Sequence, residues 1–109
     1  MSAPTLNWFK ACLEQDIPIR GAIRIQHNDV QIAIFKTAGN EVFALEDKCP
    51  HKGGPLSAGI VHDNCVTCPL HNWDISLKTG RAQGADEGQT ASFSVRLEDG
   101  VVMLCLDET

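Results

Sequence analysis

Two short stretches of this 109-residue chain mirror each other: Cys49-Pro50-His51 and Cys68-Pro69-Leu70-His71. Each presents one thiol and one imidazole, and sixteen residues separate His51 from Cys68. Coincidence is a poor account of two such pairs, both with Pro directly after Cys. Tetrahedral zinc accepts two thiolates and two imidazoles, but its fingers pair Cys with Cys and His with His across fixed short spacings. Here every pair is mixed, and one residue separates Cys49 from His51. A two-iron rhomb suits mixed pairs better. If two cysteines hold one iron and two histidines the other, each loop must supply one ligand of each kind.

The pattern C-x-H, sixteen residues, C-x(2)-H, with its flanking "GGPL" and "CPLHNW", closely resembles the Rieske [2Fe–2S] motif. The resemblance implies Cys49, His51, Cys68 and His71 as cluster ligands. Two ferric ions, two sulfides and two thiolates sum to zero charge, whereas four thiolates would leave −2. Such a site takes an electron more readily than an all-cysteine cluster. The implied role is a one-electron relay with its exit at the histidine iron. Gly53 and Gly54 would let backbone approach the sulfides, and Gly59 would permit the turn into Ile60.

The whole chain looks like a Rieske ferredoxin-type domain. In respiratory-chain Rieske proteins a disulfide joins the ligand loops; the corresponding positions here are Gly54 and Leu70. Those proteins also follow the second ligand histidine with Gly-Ser, where this chain has Asn72 and Trp73. Both departures resemble the lower-potential ferredoxin type. Three stretches, "CPHKGGPLSAGIV", "CPLHNWDISLKTGRAQGADEG" and "SVRLEDGVVML", are similar to the small subunit of assimilatory NAD(P)H nitrite reductase. That resemblance implies a large partner subunit carrying sirohaem and flavin, reducing nitrite to ammonium. The alternative is a Rieske ferredoxin serving an aromatic-ring dioxygenase, with an oxygenase and a ferredoxin reductase as partners. On either reading the chain is not catalytic alone, and it has no G-x-G-x-x-G dinucleotide loop.

The elements that must carry these loops read as β. Gly21 to Gln26 alternates, with Ile23 and Ile25 on one face. After the turn His27-Asn28-Asp29, Val30, Ile32 and Ile34 keep the period of two. Thr37 to Asn40 turns the chain into a strand over 41–45. Phe93, Val95 and Leu97 alternate before the Glu98-Asp99-Gly100 turn into a strand over 101–106. Residues 8–12 form a strand, and shorter ones are expected over 64–68 and 73–77. Short strands between regular turn signals indicate a sandwich or barrel. The expected fold is an all-β, Rieske-type antiparallel β-sandwich with a small cluster-binding subdomain over about 46–80, in one domain spanning 1–109.

Bulk properties agree. A net charge of −5 argues against nucleic acid and anionic membrane surfaces as partners. No apolar run approaches membrane-span length. The N-terminus lacks a basic segment followed by an apolar one, so a cytoplasmic location is expected. Five cysteines, an odd count, fit a disulfide framework poorly. Cys12 and Cys105 read as packing residues. Cys65 reads as a strand position facing away from the cluster, and His27 and His62 as turn residues. His51, Lys52, Gly53, Pro55, Leu56, Leu70 and Asn72 are expected around a docking face, with Asp86 and Glu87 steering toward a basic partner. Leu56 and Leu70 either form an exposed apolar patch there or shield the cluster.

Overall fold

A computed structural model describes residues 8–27, 30–48, 55–68, 74–82 and 88–105. Nine strands follow one another among them: β1 (Trp8–Leu13), β2 (Gly21–His27), β3 (Val30–Lys36), β4 (Val42–Glu46), β5 (Ile60–His62), β6 (Cys65–Thr67), β7 (Asp74–Ser76), β8 (Ser92–Glu98) and β9 (Val101–Cys105). Short 3-10 turns lie at Glu14–Asp16 and Leu56–Ala58. Six strands form one antiparallel sheet in the order β1-β9-β8-β4-β3-β2, and three form a second in the order β5-β6-β7. This is the expected all-β antiparallel architecture.

The large sheet folds over at β8. Phe93 and Ser92 pair with β4, while Ser94 to Glu98 pair with β9. The two halves then face each other across a core of Ile17, Ile32, Ile34, Ala44, Val102 and Leu104. At the far edges, Phe9 of β1 stacks on His27 of β2 with ring centroids 3.9 Å apart. A register shift between Lys10 and Cys12 marks a bulge in β1. The β8–β9 connection is the two-residue Asp99-Gly100 loop, with φ of 52° and 79°. Positive φ at both positions matches the natural strand twist and is the reason Asp-Gly works there.

Strand β3 corrects a simple one-sided reading of its alternation. Ile32 and Ile34 enter the sandwich core as expected. Ala33 and Phe35, on the opposite face, are also buried, in a second core with Leu45, Leu56, Val61, Val66, Cys68, Ile75 and Leu77. The small sheet and the Leu56–Ala58 turn cover that outer face. The two cores thus share β3 and β4, and the small sheet is held to the large one by apolar burial, at about 1.5–3 kcal/mol per fully buried aliphatic or aromatic side chain.

His27 closes β2, paired with Val30, and His62 lies on β5, neither in a turn; the turn after His62 is Asp63-Asn64, between the paired residues His62 and Cys65. Cys12 is half-buried and packs against the sandwich core, and Cys105 is buried.

Candidate metal centre

Two strand-to-strand connections bear the Cys/His pairs, and the fold brings described ends of the two together. The first leaves β4 at Asp47 and returns through the Leu56–Ala58 turn into β5. The second leaves β6 at Cys68 and returns at Asp74, the start of β7. Ile60 of β5 pairs with Thr67 of β6, and Thr67 pairs with Asp74 of β7. The end of the first connection and both ends of the second therefore meet the small sheet at the same end of its strands.

Gly59 makes that junction tight. A Cβ on it would sit 2.3 Å from the Thr67 carbonyl oxygen and 2.9 Å from Val66 Cγ2. The backbone of Gly59 is extended, with φ −82° and ψ −178°. Glycine is needed here for close approach, not for the turn conformation expected from the sequence.

Cys68 is placed at the end of β6 with 1% exposure, inside the outer core beside Leu56, Val66 and Ile75. It forms no disulfide. Cys49, His51 and His71 lie outside the described residues, as do Leu70, Asp86 and Glu87. Leu56 is 0% exposed and packs in the same core. It is a core residue and not part of an exposed apolar patch. The reason is local: the 3-10 turn directs it onto β3 and the small sheet.

Along β6, Val66 faces the core and alternation sends Cys65 and Thr67 to the other side. Cys65 is half-buried, and burial pushes its thiol pKa up, with the nearby Asp74 and Asp63 carboxylates adding to the rise. Burial also raises that of Cys12, with Asp16 adding to the rise and Lys36 opposing it.

Two polar clusters at the ends of the connections escaped the sequence reading. The Asp47 side chain is 1% exposed. Its Oδ1 accepts the Ser57 backbone N–H at 2.7 Å and its Oδ2 accepts the Ser57 hydroxyl at 2.7 Å. Arg24 Nε lies 3.3 Å from the same Oδ2. On the outer face of the small sheet, the Thr67 hydroxyl donates to Asp74 Oδ1 at 2.7 Å. That hydroxyl has one proton, so its 2.7 Å contact with His62 Nε2 is accepted from the imidazole. No sequence signal announced either cluster, because each joins residues that meet only once the strands are paired.

The site fits an iron–sulfur group. The Cys68 sulfur is of the soft type that iron–sulfur clusters take as a ligand, and it stands at the start of the second connection without a disulfide among the described residues. Gly59, at the end of the first connection, packs closely against Thr67, the residue before Cys68.

Comparison with known proteins agrees. A family model described as "Rieske-like [2Fe-2S] domain" matches residues 7–105. The 3-phenylpropionate/cinnamic acid dioxygenase ferredoxin subunit of Escherichia coli (strain K12) is 36% identical over 106 residues, covering 94% of this chain and 97% of that protein. A structure titled as a putative nitrite reductase NADPH (small subunit) superposes with a TM-score of 0.81 at 28% identity, covering 91% of this chain and 98% of the other. A putative NADH-dependent nitrite reductase small subunit from Mycobacterium tuberculosis has a TM-score of 0.87 at 19% identity, covering 96% and 99%, which shows likeness of fold. A family match over nearly every residue, on a fold that sets Ile60, Thr67 and Asp74 level at one end of the small sheet, makes this chain a member of the Rieske-like [2Fe–2S] domain family and an electron carrier of the Rieske ferredoxin type.

Proposed function

We propose that this chain is the ferredoxin of an aromatic-ring dioxygenase system, passing single electrons from a ferredoxin reductase to a terminal oxygenase. The observation that carries this reading is the 36% identity to a dioxygenase ferredoxin subunit across almost the whole of both chains. Its near-complete overlap with that carrier agrees with a mobile shuttle.

When bound, a Rieske cluster accepts and releases one electron. Cys49 and Cys68 would hold one iron and His51 and His71 the other, in a cluster-binding region of about 46–80. The buried position of Cys68 supports a cysteine iron set toward the protein, which leaves the histidine side as the edge facing a partner. Imidazoles also lower the negative charge that a second pair of thiolates would impose. Leu56, Val66 and Ile75 exclude water around Cys68.

A second reading, the small subunit of assimilatory nitrite reductase, is supported by the three sequence stretches noted above and by the neighbour at 28% identity. There the partner would be the large sirohaem and flavin subunit. Both readings place the carrier in the cytoplasm. Among the described residues, no helix is long and apolar enough to cross a membrane.

The two are separated by reconstitution. The loaded chain, mixed with NADH, a dioxygenase-type flavoprotein reductase and the 3-phenylpropionate oxygenase, should support substrate-dependent oxygen uptake. Failure there, together with copurification of a sirohaem-bearing subunit from the native cells, would establish the nitrite reductase reading instead.

A further inference from the structure

We infer that Asp47 with Ser57, and Thr67 with Asp74, are positioning residues that clamp the bases of the two ligand-bearing connections and so hold the cluster ligands in register. This inference rests on the ligand set proposed above. The first clamp spans ten residues of sequence. Between Asp47 and Ser57 the chain carries Cys49 and His51. The second spans seven, and between Thr67 and Asp74 it carries Cys68 and His71. Each clamp is thus a carboxylate–hydroxyl bond drawn across the neck of one connection.

The first clamp is tied to the large sheet. The Asp47 backbone N–H donates to the Gln31 carbonyl at 2.8 Å, fixing the residue beside β3. Its carboxylate is buried and accepts from the Ser57 amide, the Ser57 hydroxyl and Arg24. A buried carboxylate persists only when it is well supplied with donors, and here both oxygens are occupied. Ser57 belongs to the turn whose Leu56 plugs the outer core, so Asp47 joins the exit of β4 to the most deeply anchored point of the return.

The second clamp lies on the opposite, solvent-facing side of the small sheet. Thr67 and Asp74 are already backbone partners. Their side-chain bond adds a second link directly before Cys68, and His62 braces it from β5. The neck of this connection is therefore held on both the main chain and the side chains. Outer groups that orient metal ligands typically matter by 10–100-fold, roughly, in metal affinity. A pair of fixed necks can do this without touching iron or sulfide.

The test uses a mild variant of the loaded protein, Thr67→Val, which keeps a β-branched shape. Asp47→Asn is the stronger change, Thr67→Ser the rescue, and Glu98→Gln a control that breaks the exposed Arg96–Glu98 pair. Three quantities are read: bleaching of cluster absorption by an iron chelator, the electron paramagnetic resonance g-values after reduction, and amide exchange at Ser57 in cluster-free protein.

Asp47→Asn and Thr67→Val should each bleach about tenfold faster with shifted g-values. Asp47→Asn should also speed Ser57 exchange, and Thr67→Ser and Glu98→Gln should match the parent. Unchanged bleaching and g-values in both Asp47→Asn and Thr67→Val would overturn the inference. So would faster bleaching that merely tracks a lower unfolding temperature, with g-values intact. A parent chain that binds no iron and sulfide would refute the ligand set itself; a loaded parent with indifferent variants refutes the clamps alone.

Discussion

Gly59→Ala should destabilise the protein out of proportion to the single methyl group it adds. The new Cβ would lie 2.3 Å from the Thr67 carbonyl oxygen. A carbon–oxygen contact settles near 3.3 Å, so the overlap is roughly 1 Å. The obstructing atom is backbone, in a strand paired on both sides, and cannot rotate away. Val66 Cγ2 at 2.9 Å and the Leu56 carbonyl oxygen at 3.2 Å block the other directions. Overpacking of this kind costs about 1–3 kcal/mol, and this contact belongs at the upper end. Against it stands the entropic benefit of replacing glycine, about 0.4–1 kcal/mol, because φ of −82° suits alanine. The net loss is then about 2 kcal/mol, or roughly a 10 °C drop in Tm for a domain near this size. Thermal unfolding followed by circular dichroism reads it directly. Gly39→Ala is the control: its nearest neighbour would be Thr37 Oγ1 at 3.9 Å, so Tm should hold or rise slightly. If Gly59→Ala unfolds within a degree or two of the parent, the tight junction between the two connections is not a feature of the folded protein.

Leu56→Ala should cost about 2–5 kcal/mol in urea denaturation, as for a fully buried leucine, and an unchanged midpoint would contradict its core position. Iron and acid-labile sulfide should each be found at about two per chain; one zinc without sulfide would refute the ligand set. With Gly54 and Leu70 at the disulfide positions and Asn72 after His71, the potential should lie near the low end of the Rieske range, roughly −150 mV, and voltammetry well above zero would contradict this. Cys65 and Cys12 should alkylate slowly at pH 8, because a raised thiol pKa leaves less thiolate there, and their rates should climb only above the ordinary value of 9.0. Peptide mapping after iodoacetamide treatment checks this, and rapid labelling of Cys65 would contradict the effect of its buried, acidic surroundings.

The chemistry of this chain is written locally, and local patterns survive in one dimension. Mixed Cys/His pairs at fixed spacing point to a two-iron cluster before any fold is known. The period of two in β2, β3, β8 and β9 is equally legible, as is the Asp99-Gly100 turn, because strand faces and turn dihedrals depend on neighbouring residues. β5 was not legible: three residues, Ile60 to His62, are too few to show a period.

What only tertiary structure decided involves residues that meet across strands. The second buried face of β3 exists because the small sheet covers Ala33 and Phe35, and no alternation within β3 announces a cover. Leu56 in a Gly- and Pro-rich stretch reads equally as patch or plug until the turn presses it into that core. Gly59 reads as a turn glycine until the Thr67 carbonyl is found in the space a Cβ would need. Asp47 finds Ser57 and Arg24, and Thr67 finds Asp74 and His62, only after β2, β5, β6 and β7 are in place. The expected ligands follow from the chemical type of each residue, whereas the burial of Cys68 and the hydrogen bonds of Asp47 and Thr67 follow from which distant segments share a surface.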